Sequence, residues 1–320
     1  MDDSPDTAAA ALPQSRGALF LSDGGLETTL VFERGIALPH FAAFPLLADE
    51  RGKQLLTEYY KPYLTLAART PGAGFVLETP TWRASADWGE RLGYDPTALA
   101  AINRQAGEFC NQLRRTWAPR VEGDIVVAGI IGPRGDGYVA EPPDSAGDAA
   151  RYHQPQAEAL RQGGVDMLIG VTMTSSAEAI GIARAAAAVG LPVALSFTVE
   201  TDGRLPSGEA LGDAIERVDA DRADTPPAYF GINCAHPSHF DAALAHGGAW
   251  RRRIRAVRAN ASAKSHAELD AAETLDAGDP DDLAQRYVRL RDALPALNVL
   301  GGCCGTGEAH LKAIAKAWMR

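Results

Sequence analysis

Val165-Asp166-Met167-Leu168-Ile169-Gly170 is a short apolar run, an alanine-rich stretch from Ser176 to Ala188 follows it, and Gly190-Leu191-Pro192-Val193-Ala194-Leu195-Ser196-Phe197 returns to apolar character. Alanine favours helix, Gly190 and Pro192 stop it, and the valine and phenylalanine beyond suit a pleated chain. The segment reads as strand, helix, strand, the unit that joins two parallel strands. Outward from it the alternation recurs, giving eight strand and helix pairs between Ala18 and the C-terminus. The strands fall near 19–22, 74–77, 125–131, 165–170, 192–197, 228–232, 254–258 and 298–300. The helices fall near 53–69, 97–117, 148–162, 176–188, 209–222, 237–246, 280–293 and 308–319. Eight such pairs predict an α/β fold, a closed (β/α)8 barrel of the TIM type, as a single domain over residues 17–320. An open doubly wound sheet is the competing fold; the count, the length and the lack of a long linker favour the barrel.

At 320 residues and 46% hydrophobic content the chain is long enough to bury one large core. No uninterrupted apolar run reaches the length of a bilayer, so no membrane partner is expected. A formal charge of −10, with Arg251-Arg252-Arg253 as a short isolated basic stretch, argues against nucleic acid. Residues 1–16 are acidic and alanine-rich, lack the parts of a secretory signal, and are expected to form a disordered tail. Four cysteines without an export signal imply a reducing, cytoplasmic setting in which thiols are available for metal or catalysis.

In a parallel barrel the loops that follow the strands share one mouth. Here the strands end in Asp23-Gly24-Gly25, Glu78-Thr79, Gly132-Pro133, Thr172, Thr198 with Glu200, Asn233-Cys234, Asn260 and Gly302-Cys303-Cys304. Core packing alone would continue with aliphatics. Cys303 and Cys304 stand within Gly301-Gly302-Cys303-Cys304-Gly305-Thr306-Gly307, whose glycines let the backbone turn both sulfurs inward. If the barrel brings Cys234 to them, three thiolates with one open corner make a catalytic Zn²⁺ site. The plainer readings are a tight turn or a vicinal disulfide for the pair, and a small buried hydrophobe for Cys234.

Other candidates divide the same way. Cys110 falls at a core position of a helical stretch, and His236 and His239, either side of the helix-starting Pro237, read as helix-entry residues rather than metal ligands. Asp23 and Glu78 either hold a substrate amino group or cap loop amides. Gly132-Pro133-Arg134-Gly135-Asp136-Gly137 lacks the spacing and the acid of a dinucleotide fingerprint and reads as a turn that lets a substrate approach. Trp82, Trp88, Tyr94 and Tyr138 lie in loops and either face a cationic donor or pack the loops themselves.

With Asp23-Gly24-Gly25, Glu78-Thr79, 129–133, Gly231-Ile232-Asn233-Cys234 and 301–306 in this order, the chain resembles the zinc-dependent homocysteine S-methyltransferase family from about Leu19 onward. That family includes the betaine-homocysteine and S-methylmethionine-homocysteine enzymes. The resemblance implies zinc on Cys234, Cys303 and Cys304, and Asp23 at the amino group of homocysteine. Gly24, Gly25, Glu78, Thr79, Thr172, Asn233 and Asn260 are the further expected substrate contacts. The implied reaction moves a methyl group from a small sulfonium or quaternary ammonium donor (S-methylmethionine, S-adenosylmethionine or betaine) to the thiolate of homocysteine, giving methionine. One barrel leaves no room for the folate and cobalamin domains of the large methionine synthases, so the donor is expected to diffuse in. Two positions depart from the pattern. Where much of the family carries Glu-Thr after strand four this chain reads Val171-Thr172, and Glu-Thr-Asn after strand two becomes Glu78-Thr79-Pro80. Val171 motivates an alternative acceptor, another thiol or a selenol. A non-catalytic zinc or redox-sensing barrel is the alternative from a different class.

Overall fold

The computed structural model describes residues 12–139, 145–221 and 226–320. Residues 1–11 of the expected tail and residue 222 of the expected fifth helix lie outside them. Eight parallel strands form one closed barrel in chain order: β1 Phe20–Leu21, β2 Gly74–Glu78, β3 Ile125–Ile131, β4 Met167–Met173, β5 Val193–Phe197, β6 Tyr229–Asn233, β7 Ile254–Ala259 and β8 Val299–Gly302. Closure comes from β8 on β1, with Phe20 opposite Val299 and Leu21 opposite Leu300. The (β/α)8 expectation holds. The main helices are Glu50–Arg69, Pro96–Trp117, Ala146–Gln162, Ser176–Ala188, Leu211–Ala220, Pro237–Ala245, Pro280–Ala293 and Glu308–Trp318. Among the described residues no helix is long and apolar enough to cross a membrane.

The strands are apolar on both faces because both faces are buried. On β3, Val126, Ala128 and Ile130 point into the barrel beside Val76, Met167, Ile169 and Val299, while Ile125, Val127 and Ile131 face the helical ring. This is the period of two expected of any strand, applied to a sheet with no wet side.

Differences from the sequence-based expectation have local causes. The fifth helix begins at Leu211 rather than 209 because Glu209 is drawn outward: it accepts from the Ser176 amide at 2.9 Å and pairs with Arg217 at 2.6 Å. The long loops after β2 and β7 carry the short helices Ala86–Arg91 and His266–Asp270, the second started by a capping box of Ser265 and Glu268.

The expected tail is corrected for residues 12–16. Pro13–Arg16 form a 3-10 turn, and Gln14 is fully buried at the strand-start end of the barrel, where its side-chain amide reaches Tyr229 Oη at 3.3 Å and Met167 Sδ at 3.1 Å. Asn298 Nδ2 donates to the Gln14 carbonyl at 2.8 Å and to the Ala18 carbonyl at 2.6 Å. The open bottom of a barrel exposes interior side chains, and this turn covers them. Polar composition pointed to a tail; the buried amide and its partners decide otherwise. Asn298→Ala would remove this donor from the Ala18 carbonyl and leave the Gln14 carbonyl with Arg255 Nη1 at 3.3 Å alone. It is expected to destabilise the protein by about 1–3 kcal/mol in denaturant titrations, without changing metal content.

Candidate active site and metal centre

Strand β7 lies between β6 and β8, and it sets the cysteines. The Cys234 amide donates to the Arg258 carbonyl at 3.2 Å and the Cys303 amide to the Ala259 carbonyl at 2.8 Å, so the two residues stand on adjacent rungs of one strand. Cys234 ends β6 with a φ of 53°, and Gly305, at 77°, turns the chain after Cys304. A Cβ on Gly305 would meet the Asp276 carbonyl oxygen at 2.7 Å, so this turn requires glycine. The three sulfurs, 69 and 70 residues apart in sequence for the distant partner, lie within 4.8 Å of one another. Cys234 and Cys303 touch at disulfide contact with Cα atoms 5.4 Å apart, whereas Cys304 is a free thiol. Burial raises the pKa of the Cys304 thiol, opposed by the hydroxyl of Tyr138 at 3.5 Å.

This donor set fits zinc. Tetrahedral geometry with Zn–S bonds of about 2.3 Å places sulfurs about 3.8 Å apart, within the span observed. Three thiolates would more than neutralise the cation and leave the site net negative, and all three residues border the same cavity of about 520 Å³. Binding a metal through all three cysteines would require the Cys234 and Cys303 sulfurs to be reduced and apart, so the contact between them and such a metal exclude one another.

A layer of polar groups holds the cluster in place. The Cys234 carbonyl accepts from His266 Nε2 at 2.7 Å, Asn260 Nδ2 at 2.9 Å and Thr198 Oγ1 at 3.3 Å. His266 Nδ1 faces Glu200 at 3.0 Å, and the ring of Tyr138 stacks on the imidazole at 4.1 Å. At the end of β4 the pairing with β5 slips, and Thr172 adopts a φ of 60°, costly for a β-branched residue. Asn233 holds that conformation: its Oδ1 accepts from the Thr172 amide and its Nδ2 donates to Thr172 Oγ1, both at 2.9 Å.

Of the expected substrate contacts, Asp23, Gly24, Gly25, Glu78, Thr79, Thr172 and Asn233 border the cavity. Asn260 stands behind the wall on the Cys234 carbonyl, and Thr79 Oγ1 is engaged with Thr81 at 2.7 Å and the Ile130 amide at 2.9 Å. His236 caps the helix Pro237–Ala245 and has its pKa lowered to about 4, chiefly by burial, while His239 binds the Ala263 carbonyl at 2.9 Å. Neither joins the sulfur cluster. Cys110 is buried in the core. Tyr94 packs edge-on to Phe44, and the faces of Trp82 and Trp88 are already covered by the Arg83 guanidinium at 4.6 and 4.0 Å.

Of the charged residues lining the cavity that were not among those expectations, Arg258 and Glu27 shape the site most. Arg258 donates to Asp23 at 2.7 Å, to Glu78, to the Gly24 carbonyl at 3.1 Å and, through Nε, to the Gly302 carbonyl at 3.0 Å. It thus ties the ends of β1, β2 and β8 to β7. A signal existed: Arg258 shares the inward face of its strand with Ala256. Glu27, from the short helix Leu26–Thr28, lines the cavity, and its pKa is raised from 4.5 to about 7. Burial is the main cause, its own amide opposes it, Asp23 adds to it, and Arg258 and Arg83 act against it. Its place in the first turn of a helix disguises it as an ordinary helix-start acid.

A folded-state pKa above the unfolded one means that the native protein holds the Glu27 proton between about pH 4.5 and 7 while the unfolded chain has lost it. Stability therefore falls with rising pH across that window and stays lowered above it. After discounting for partial exposure, Glu27→Gln is expected to stabilise the metal-free protein by about 1–2 kcal/mol at pH 8 and little at pH 4. Denaturant titrations of both proteins at the two pH values measure this, and parallel profiles would contradict it.

Comparison with known proteins agrees with this geometry. Residues 20–318 match the model of a family described as homocysteine S-methyltransferase. Homocysteine S-methyltransferase 4 of Zea mays is 25% identical over 98% of this chain and 94% of its own. Homocysteine S-methyltransferase of Escherichia coli is 26% identical over 82% of this chain and 83% of its own. Crystal structures of the homocysteine methyltransferase MmuM from Escherichia coli, in an oxidized and a metallated form, superpose with TM-scores of 0.74 and 0.73 at 22% identity, over 98% of this chain and 99% of theirs. The structural likeness carries the fold. The family match over nearly the whole barrel carries the assignment: the chain belongs to the homocysteine S-methyltransferase family.

Proposed function

We propose that the protein is a zinc-dependent methyltransferase that moves a methyl group from a small sulfonium or quaternary ammonium donor to the thiolate of homocysteine. S-methylmethionine, S-adenosylmethionine and betaine are the donor candidates. The observation that carries this reading is the meeting of Cys234, Cys303 and Cys304 within 4.8 Å at the wall of a cavity that admits small molecules. Cys234, Cys303 and Cys304 would hold the zinc, which would supply a cation favouring the thiolate form of the acceptor well below the free thiol pKa of about 8.5. The thiol proton leaves to solvent.

The residues of the chain supply the rest. The acceptor sulfur donates an electron pair to the methyl carbon as the bond from that carbon to the donor's sulfur or nitrogen breaks, and the departing pair neutralises the onium. Charge disappears in this step, so exclusion of water favours it. Leu26, Ile130 and Val171 border the cavity with apolar surface that serves that purpose. The Arg258 brace keeps Asp23 and Glu78 fixed in the wall, and the carbonyl anchors on Cys234 hold the cluster at its rung, which preserves in-line geometry.

The contact between Cys234 and Cys303 favours one second reading, a barrel that switches between thiol and disulfide without transferring a methyl group. Metal analysis combined with a transfer assay separates the two. Reduced protein is expected to hold one zinc per chain, and Cys303→Ser to lose it together with methyl transfer by about 100-fold or more. Zinc retained by wild type with no product from homocysteine and any of the three donors would favour the switch.

A further inference from the structure

Six acids border the cavity: Asp23, Glu27, Glu78, Asp136, Asp270 and Asp276. Most have a counter-charge or are exposed. Asp23 and Glu78 share Arg258, Asp136 faces Arg83 at 3.7 Å, Asp276 faces Lys264 at 3.4 Å, and Asp270 is exposed to solvent. Glu27 is different. It is half-buried, and among the described residues no cation stands within ion-pair distance of it and no other residue hydrogen-bonds its carboxylate. A carboxylate withdrawn from water without a partner is unfavourable unless a ligand brings the missing charge.

Its surroundings say which ligand. Glu27 lines the same cavity as Cys304, and the turn that carries it packs on the cysteine loop: the Gly305 amide donates to Thr28 Oγ1 at 3.3 Å and the Gly25 amide to the Thr306 carbonyl at 3.0 Å. The end of β4 offers only Val171 and Thr172, neither charged, and Arg258 already engages both Asp23 and Glu78. In an amino-acid thiol such as homocysteine the sulfur and the amino nitrogen are four bonds apart. An acceptor whose sulfur sits at the cysteines therefore has its ammonium within reach of a group on the turn packed against the cysteine loop.

We propose that Glu27 is the specificity residue for the acceptor, its carboxylate receiving the α-ammonium of an amino-acid thiol bound at the Cys234, Cys303 and Cys304 cluster. This rests on the thiol-methyltransferase reading above and adds the residue that selects an amino acid over a simple thiol. The positive centre of the donor is the other source of such a cation.

Calorimetric binding to the reduced, zinc-loaded protein tests the assignment without turnover. The probes are homocysteine, 4-mercaptobutyrate, which lacks only the amino group, and S-methylmethionine. Glu27→Gln, with zinc content verified, is expected to weaken homocysteine about 10- to 100-fold, the effect of losing one charge-assisted hydrogen bond, and to leave 4-mercaptobutyrate within about 2-fold. Equal weakening of both thiols, no change in either, or failure of wild type to bind either thiol would overturn the proposal. A loss confined to S-methylmethionine would overturn it in favour of the donor. Selective, Glu27-dependent binding in a protein that makes no methylated product would instead sink the transferase reading while leaving this assignment standing.

Discussion

The arrangement depends on the hydrogen bonds that β6 and β8 each make to β7. With the Cys234 amide on the Arg258 carbonyl and the Cys303 amide on the Ala259 carbonyl, two distant segments meet at consecutive rungs of one ladder. The closed barrel makes this possible, since parallel strands in chain order deliver all their ends to one side. Residues far apart in the chain thus become neighbours without a long-range side-chain contact having to bring them together.

Arg258 adds a second function to the same strand. Its backbone carbonyl receives Cys234, and its guanidinium spans Asp23 and Glu78. One residue therefore couples the position of the sulfur cluster to the charge of the opposite wall. Two carboxylates that would otherwise repel in a partly dry cavity are held by one cation, leaving a net negative wall in which the half-buried Glu27 is unengaged by the described residues. The backbone contributes as well. Thr172 and Cys234, both in left-handed conformations at strand ends, are stabilised by Asn233 and by the hydrogen bonds to the Cys234 carbonyl, so unusual torsions sit where the wall must be shaped.

Much of this was legible in the amino-acid order, for a physical reason. Strands buried on both faces are unbroken apolar runs, so Ile125–Ile131 announces itself with the boundaries the structure gives it, and the run 192–197 differs from Val193–Phe197 only at its first residue. The first polar residue after such a run marks the mouth, which is why Asp23, Glu78, Asn233 and the cysteines were identifiable. Less legible was whatever depends on which atoms meet across space. Gln14 looks like part of a polar tail until Tyr229 and Met167 are brought over it. Arg258 looks like the end of a strand until two acids close on it, and Glu27 like a routine helix-start residue until the cations nearby prove to be engaged elsewhere. Trp82 and Trp88 offered aromatic faces by composition, but Arg83 in the intervening loop covers them.

The turn around Gln14 has a practical consequence. Because it seals the end where the strands begin, Leu12 lies on the side away from the cysteines. A purification handle, a reporter domain or a surface linkage attached ahead of that turn would leave the substrate entrance facing open solution, whereas one attached within the loops after β2 or β7 would stand in the doorway.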